Sequence, residues 1–199
     1  MGGISAAEIE GAADGLLRWA GDQAPGIVAL AERLLGAGCV RAVHAGALPG
    51  VAAVARVGGN WRIYIRARAS AEQQTFAIAH ELAHWCLGET ATETECDALA
   101  AALVMPWRPY LAAARSIGQS WSVLAQRFVC TESAVALRWG EVVHDPLVLI
   151  APRVVRVRGA PWTWPHDERQ LRGLAKASRE NVSVSTLDGD HRRVLLIAV

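Results

Sequence analysis

The stretch "IAHELAHWCLGETATETECDALAAALVMP", residues 78–106, places two histidines, four glutamates and one aspartate in a segment that otherwise has the composition of an apolar core. Burial of ionisable side chains is costly unless they pair with one another or bind a metal ion. So many ionisable groups at core-like positions indicate that this segment holds a ligand.

Two consecutive helices are predicted across this segment. Ser70 is a suitable N-cap, and Gln73 three residues later completes a capping-box pattern, so the first helix is predicted over about 71–87. The second is predicted over about 92–105, because Pro106 disfavours helical backbone in the residue before it.

The first predicted helix contains an H-E-x-x-H motif, "HELAH", from His80 to His84. Residues four apart lie on one face of a helix, so both imidazoles point the same way. Two imidazoles at this separation suit a tetrahedral zinc ion, and Glu81 reaches the same side, where it can polarise a water on the metal. A chance pentapeptide is the alternative, but the carboxylate-bearing helix that follows favours a metal site.

A catalytic zinc site needs a third protein ligand and one open position. At 100° per residue, Glu93 lies about 60° from the centre of the apolar stripe of the second helix, and Glu95 about 100°. Glu93 is therefore the favoured ligand, with Glu95 as the alternative. Asp97, one turn after Glu93, could accept a hydrogen bond from the second ring nitrogen of a ligand histidine.

The segments "QTFAIAHELAHW" and "ETECDALAAALVMP" resemble the ImmA/IrrE family of zinc metallopeptidases, over about residues 51–106 and more loosely to 142. The resemblance implies one zinc ion per chain, general-base catalysis and a hydrogen bond to a ligand histidine, at the ring nitrogen that does not face the metal. The residues it implies are His80, His84 and Glu93 as zinc ligands, Glu81 as the base and Asp97 behind the ligands.

Two cysteines lie close to the motif. Cys86 is about 160° around the helix from His84, and Cys96 lies on the apolar stripe, where free cysteine behaves as a small hydrophobe. Neither is therefore expected to be a ligand. Cys96 also departs from the family pattern, which usually has alanine there, but this small replacement leaves the predicted chemistry intact.

The predicted activity is a zinc endopeptidase acting on a protein partner. Glu81 would take a proton from the attacking water and pass it to the leaving amine. The resemblance implies that the partner is a helix-turn-helix repressor or an antitoxin-like protein in stress, phage or mobile-element regulation. The residue that stabilises the oxyanion stays open among several arginines and four other side chains: His144, His166, Tyr64 and Tyr110.

The alternative function is a non-proteolytic DNA-binding or scaffolding regulator with a structural metal. The segment "SVLAQRFVCTESAVALRW", residues 122–139, resembles a helix-turn-helix, with a turn at Val129-Cys130 and Thr131 as the cap of the second helix. Its second helix, however, carries one basic residue, Arg138, expected to be exposed, and one acidic residue, Glu132, whereas a DNA reader shows a basic footprint. DNA binding is therefore not expected. Glu81 also favours the enzyme, because a structural metal site needs no base.

The predicted fold class is α+β. Two N-terminal helices precede a small antiparallel sheet that includes a hairpin at Gly58-Gly59-Asn60. The metal-site helices, a helix-turn-helix-like pair and a β-rich C-terminal segment follow, the last with strands near 146–159 and a hairpin at Asp188-Gly189. The predicted parts are a metallopeptidase core over 1–108, a helical subdomain over 109–143 and a C-terminal segment over 144–199.

Composition limits the remaining possibilities. The 199 residues are 52% hydrophobic and carry a formal net charge of +1, so no global field attracts nucleic acid or a membrane surface. The N-terminus lacks a secretory pattern, and no apolar run reaches the ~18 residues of a membrane span. The four scattered cysteines suit a reducing compartment. A cytoplasmic location without membrane attachment is expected.

Overall fold

The computed structural model describes residues 3–21, 26–117, 120–143, 147–150, 155–158, 182–187 and 192–197. The chain divides into two compact units, the first formed by 1–110 with 128–130 and the second by 111–127 with 131–199. Within the described residues, seven α-helices accompany a three-stranded and a four-stranded sheet, which confirms the predicted α+β class. The three-part division at residues 108 and 143 stays a prediction.

The first unit begins with the two predicted helices, α1 (Ala6–Ala20) and α2 (Ile27–Leu35). A capping box starts α1, in which the Ser5 side chain accepts the Glu8 N–H and the Glu8 carboxylate accepts the Ser5 N–H. Gly36, with φ of 101°, closes α2 in the left-handed region that favours glycine.

The small sheet consists of β1 (Val40–Val43), β2 (Ala52–Val57) and β3 (Asn60–Arg66), in the order β1-β3-β2. The β2–β3 hairpin is antiparallel as predicted, but β1 runs parallel to β3, so the expectation of a wholly antiparallel sheet was wrong. β3 carries the buried Ile63 and Ile65 and takes the centre of the sheet, between β1 and β2. The chain reverses direction from β1 to β2 and again in the β2–β3 hairpin, so β3 runs in the same direction as β1.

The site-bearing helices are α3 (Ala71–Leu87) and α4 (Glu93–Val104), close to their predicted bounds. Ser70 caps α3 and Thr92 caps α4, each through a capping box. Gly88, with φ of 80°, ends α3 and allows the chain to turn at once into the next helix.

The core of the first unit lies between these four helices and one face of the small sheet. Apolar side chains spaced three and four apart on the helices meet the alternating isoleucines of β3. The buried cluster includes Ile9, Ala13, Leu30, Ile63, Ile65, Ile78, Leu82, Cys96, Leu99 and Leu103. This packing fixes α3 against α4 and thereby sets the distance between the polar groups that they carry.

Helix α5 (Trp107–Ile117) is followed by the helix-turn-helix-like pair α6 (Trp121–Phe128) and α7 (Glu132–Val142). The turn between α6 and α7 contains Val129 at φ of 51°, and Thr131 caps α7. Both features agree with the predicted turn and cap.

The second unit contains an antiparallel sheet in the order β5-β4-β7-β6, formed by β4 (Leu147–Ile150), β5 (Val155–Arg158), β6 (Val182–Leu187) and β7 (Arg192–Ile197). The β-rich C-terminal segment and its last hairpin are confirmed. The turn predicted at Asp188-Gly189 lies outside the described residues.

Among the helices that the structure describes, none is both long enough and apolar enough to cross a membrane.

Candidate metal centre

Helices α3 and α4 bring three donor side chains together. The Nε2 atoms of His80 and His84 lie 3.1 Å apart. Glu93, the first residue of α4, places Oε2 3.2 Å from His80 Nε2 and Oε1 3.5 Å from His84 Nε2. Among the described residues, these three side chains form a group that could hold a metal ion.

The spacing of the three donors fits tetrahedral coordination. Ligand atoms about 2.0–2.2 Å from a tetrahedral zinc ion lie about 3.4 Å from one another. The imidazole nitrogens are 3.1 Å apart, and they lie 3.2 and 3.5 Å from the two different oxygens of Glu93, so each of these separations is close to that edge length. The histidine rings are partly exposed and the Glu93 side chain is 78% exposed, so one side of the group faces solvent. Such a site has room for a fourth, exchangeable ligand.

The two candidate glutamates have different roles in the structure. Glu93 turns toward the histidines, in the direction predicted by the helical wheel, although it lies at the surface rather than in the core. Glu95 completes the α4 capping box, its Oε2 accepting the N–H and the hydroxyl hydrogen of Thr92. Its Oε1 accepts the Ile4 N–H at 2.7 Å. Glu95 is thus engaged by backbone donors away from the three-donor group.

Asp97 lies behind His80, as its position one turn after Glu93 suggested. Its Oδ1 is 3.0 Å from His80 Nδ1. The hydrogen bond to Asp97 raises the pKa of His80, against the opposing effect of burial, and the charges of Asp97, Glu81 and Glu93 add to the increase. The Asp97 contact also fixes the ring so that Nε2 points to the shared position.

Cys96 lies behind the other histidine, a contact that the sequence reasoning missed. Its Sγ is 3.4 Å from His84 Nδ1. Cys96 does belong to the buried core, as expected, and burial is the main reason why the pKa of its thiol rises to about 11, with the Glu93 charge contributing. The available signal was spacing: Cys96 is three residues after Glu93 and adjacent to Asp97, on the same face of α4.

Glu81 is anchored to the sheet. Its Oε2 accepts the backbone N–H of Val54 in β2 at 2.8 Å. Along the antiparallel β2–β3 pair, residue pairs that exchange hydrogen bonds alternate with pairs that do not. Val51 and Arg66 form a bonded pair, in which the Arg66 N–H donates to the Val51 carbonyl. Val54, three residues further along β2, therefore lies in a pair without hydrogen bonds and directs its N–H away from β3. Glu81 therefore lies at the outer edge of β2, close enough for its charge to raise the pKa of His80.

The other residues considered from sequence lie elsewhere. Tyr110 is buried with its ring 5.6 Å from that of Phe128. Tyr64 lies on the face of β3 opposite to the buried isoleucines. Cys86 packs partly against the core cluster, where burial raises the pKa of its thiol to about 11. His144 and His166 lie outside the described residues.

The candidate site lies in a region of the chain that matches a known family. The Peptidase M78 family model, described as the IrrE N-terminal-like domain, matches residues 41–140, which contain the three donors and Glu81. No curated protein matches the chain. The fold is similar to that of a Mycobacterium tuberculosis transcriptional regulator, with a TM-score of 0.65 and 14% identity. That match covers 96% of this chain and 75% of the other, and at this identity it indicates a shared fold alone.

Proposed function

The chain belongs to the Peptidase M78 family of IrrE N-terminal-like domains, and from this premise we propose that it is a zinc-dependent endopeptidase acting on a protein partner. The observation that carries the proposal is the convergence of His80, His84 and Glu93 at zinc-ligand spacing. Glu81, directly after the first of these ligands, supplies a base that a purely structural metal site would not need.

The residues of the chain divide the chemistry among them. Zinc held by the three donors would polarise the scissile carbonyl and lower the pKa of a coordinated water. Glu81 accepts the proton of the attacking water and delivers it to the leaving amine. The Val54 N–H restrains one carboxylate oxygen of Glu81, which leaves the other free for proton transfer.

The outer edge of β2 suits an extended peptide. In the part of the chain that the structure describes, this strand pairs with β3 alone, and alternate backbone groups point outward from its other edge, where the Val54 N–H is already bonded to Glu81. Outward N–H and C=O groups at a sheet edge can pair with an added strand. A substrate paired there would run past Glu81, which contacts the same edge. This placement supports cleavage within an extended segment of a protein.

We propose as the partner a small helix-turn-helix repressor or antitoxin-like protein in the cytoplasm, on the basis of the resemblance of the motif-bearing segments. A DNA-binding regulator is the alternative, suggested by the α6–α7 pair. Against it, Arg138, the one basic residue of α7, is only 2% exposed, with Nη1 3.5 Å from Glu141 Oε2. A helix whose cation is buried lacks the phosphate contacts that sustain DNA binding.

The test is cleavage of the protein encoded by the adjacent gene, co-expressed with the parent chain or with Glu81→Gln. Glutamine keeps the size and polarity of glutamate but accepts no proton. We expect Glu81→Gln to retain zinc by elemental analysis and to lose cleavage by about 10²-fold or more.

Glu89→Gln is the matched control, because Glu89 is exposed in the turn after α3. It should leave both zinc content and cleavage unchanged. Loss of zinc from Glu81→Gln would show that Glu81 is a ligand rather than a base. If the zinc-loaded parent chain shows no cleavage and instead binds duplex DNA, the result would favour the regulator.

A further inference from the structure

The two histidines of the candidate metal centre differ in the atom that contacts the Nδ1 of each ring. His80 Nδ1 lies 3.0 Å from Asp97 Oδ1, whereas His84 Nδ1 lies 3.4 Å from Cys96 Sγ. We propose that Cys96 is a positioning residue, whose sulfur accepts the Nδ1–H of His84 and thereby keeps Nε2 of that ring directed at the metal. This inference rests on the proposed zinc site, since it concerns how one ligand is held.

The proton arrangement follows from the imidazole ring. A neutral histidine has one N–H and one lone pair, so a ring that binds metal through Nε2 carries its hydrogen on Nδ1. Nε2 is the ligand atom of His84, because it lies 3.1 Å from His80 Nε2 and 3.5 Å from Glu93 Oε1. The Nδ1–H then points toward Cys96 Sγ. A partly buried N–H left without an acceptor would destabilise this orientation.

The geometry of α4 explains why sulfur can serve here. Glu93, Cys96 and Asp97 are separated by three and four residues and share one face of the helix. One helix therefore supplies the third donor and a partner for each histidine. Cys96 is 0% exposed, so water does not compete at the sulfur. A thiol is a weak acceptor, but hydrogen bonds gain strength in surroundings of low dielectric constant.

The competing explanation is that Cys96 only fills space. It is part of the apolar cluster with Leu82 and Leu99, and free cysteine often acts as a small hydrophobe. A substitution that keeps the side-chain volume but removes the hydrogen-bond acceptor distinguishes the two explanations. Cys96→Val does this, whereas Cys96→Ser keeps an acceptor atom but replaces sulfur with oxygen.

The experiment measures the affinity of the full chain for Zn²⁺ alone, by competition with a chromophoric chelator. We expect Cys96→Val to weaken zinc binding by about tenfold, the lower end of the effect of removing a partner behind a ligand. Cys96→Ser should stay within about threefold of the parent, because its oxygen can accept the same N–H. Cys86→Val, on α3 and packed against the core cluster, is the matched control and should bind zinc like the parent.

Parent affinity in a folded Cys96→Val variant would overturn the positioning role and leave the zinc site intact. Failure of the parent itself to bind zinc would instead overturn the proposed function, and this inference with it. If circular dichroism shows that Cys96→Val does not fold, Cys96→Ala takes its place. Weak binding by Cys96→Ala with retained binding by Cys96→Ser then supports the proposal, and equal affinities overturn it.

Discussion

The α3–α4 pair and the α6–α7 pair are built in the same way but hold different groups. In each, two helices are joined by a short turn, and a threonine caps the second helix. Between α3 and α4 the facing groups include two imidazoles and two carboxylates. In the other pair the Trp121 and Trp139 rings lie edge to face, 6.3 Å apart, and Leu124 and Val135 are fully buried.

The difference indicates which pair should depend on a ligand. Aromatic and aliphatic side chains are stabilised by their own burial. Imidazoles and carboxylates that approach within 3.5 Å at a half-buried site gain most when a cation joins them. Metal dependence should therefore be confined to the α3–α4 pair, whereas α6–α7 should depend on side-chain volume without depending on metal.

Zinc addition is the strongest way to test this division. At a free zinc concentration 1,000 times the dissociation constant, binding to the folded chain adds about 4 kcal/mol of stability. For a chain of this length, that should raise the melting temperature by roughly 8–16 °C. Thermal unfolding followed by circular dichroism, with and without zinc, measures the shift.

His84→Ala is the control for the zinc effect, because it removes one of the three donors. Its melting temperature should respond little to zinc. A full response in this variant would place the zinc elsewhere on the chain and contradict the α3–α4 site.

Truncation in α6 tests the other half of the comparison. Leu124 is 0% exposed, whereas its neighbour Val123 is 42% exposed. We expect Leu124→Ala to lower the free energy of unfolding by about 3 kcal/mol, and Val123→Ala by less than about 0.5 kcal/mol. Chemical denaturation measures both. Zinc affinity should be the same in the two variants, and a loss confined to Leu124→Ala would show that the two helix pairs are coupled.

The helix starts and the side-chain positions that the sequence could indicate depend on short-range rules. The capping residues Ser70 and Thr131 lie within three or four residues of the groups they bind, so sequence alone locates the helix starts. The spacing of His80 and His84 places both rings on one helical face. The helical wheel placed Glu93 on the side of α4 that faces the histidines, and the side chain does turn toward them, but it is 78% exposed rather than directed at the core.

The features that sequence reasoning missed depend on contacts between distant segments. Arg138 was expected on the surface, but it is buried, with Glu141 one helical turn away. Nothing in the composition of α7 distinguishes a buried arginine from an exposed one. The contact of Cys96 with His84 requires the relative position of two helices, and the pairing of β1 requires the order of strands in the sheet. Neither is encoded in local periodicity.

The two caps give the finest test of the comparison. The Thr92 hydroxyl accepts the Glu95 N–H, and the Thr131 hydroxyl accepts the Ala134 N–H, at 3.3 and 3.2 Å. Substitution of either threonine by alanine should cost about 1 kcal/mol of stability. Only Thr92→Ala should also weaken zinc binding. The expected loss is roughly fivefold, because zinc binding must then supply the free energy that the cap no longer contributes to ordering the first turn of α4.

The reason is that α4 presents its proposed metal ligand at its first residue. Glu93 follows the Thr92 cap directly, so fraying of that turn releases the carboxylate from the two histidines. Fraying of α7 releases no ligand. The stability loss serves as an internal control, because it should be similar in both variants while zinc affinity, measured by chelator competition, separates them. Equal zinc affinities would mean that contacts other than the cap hold Glu93 in place, and that the two caps have the same, purely structural role.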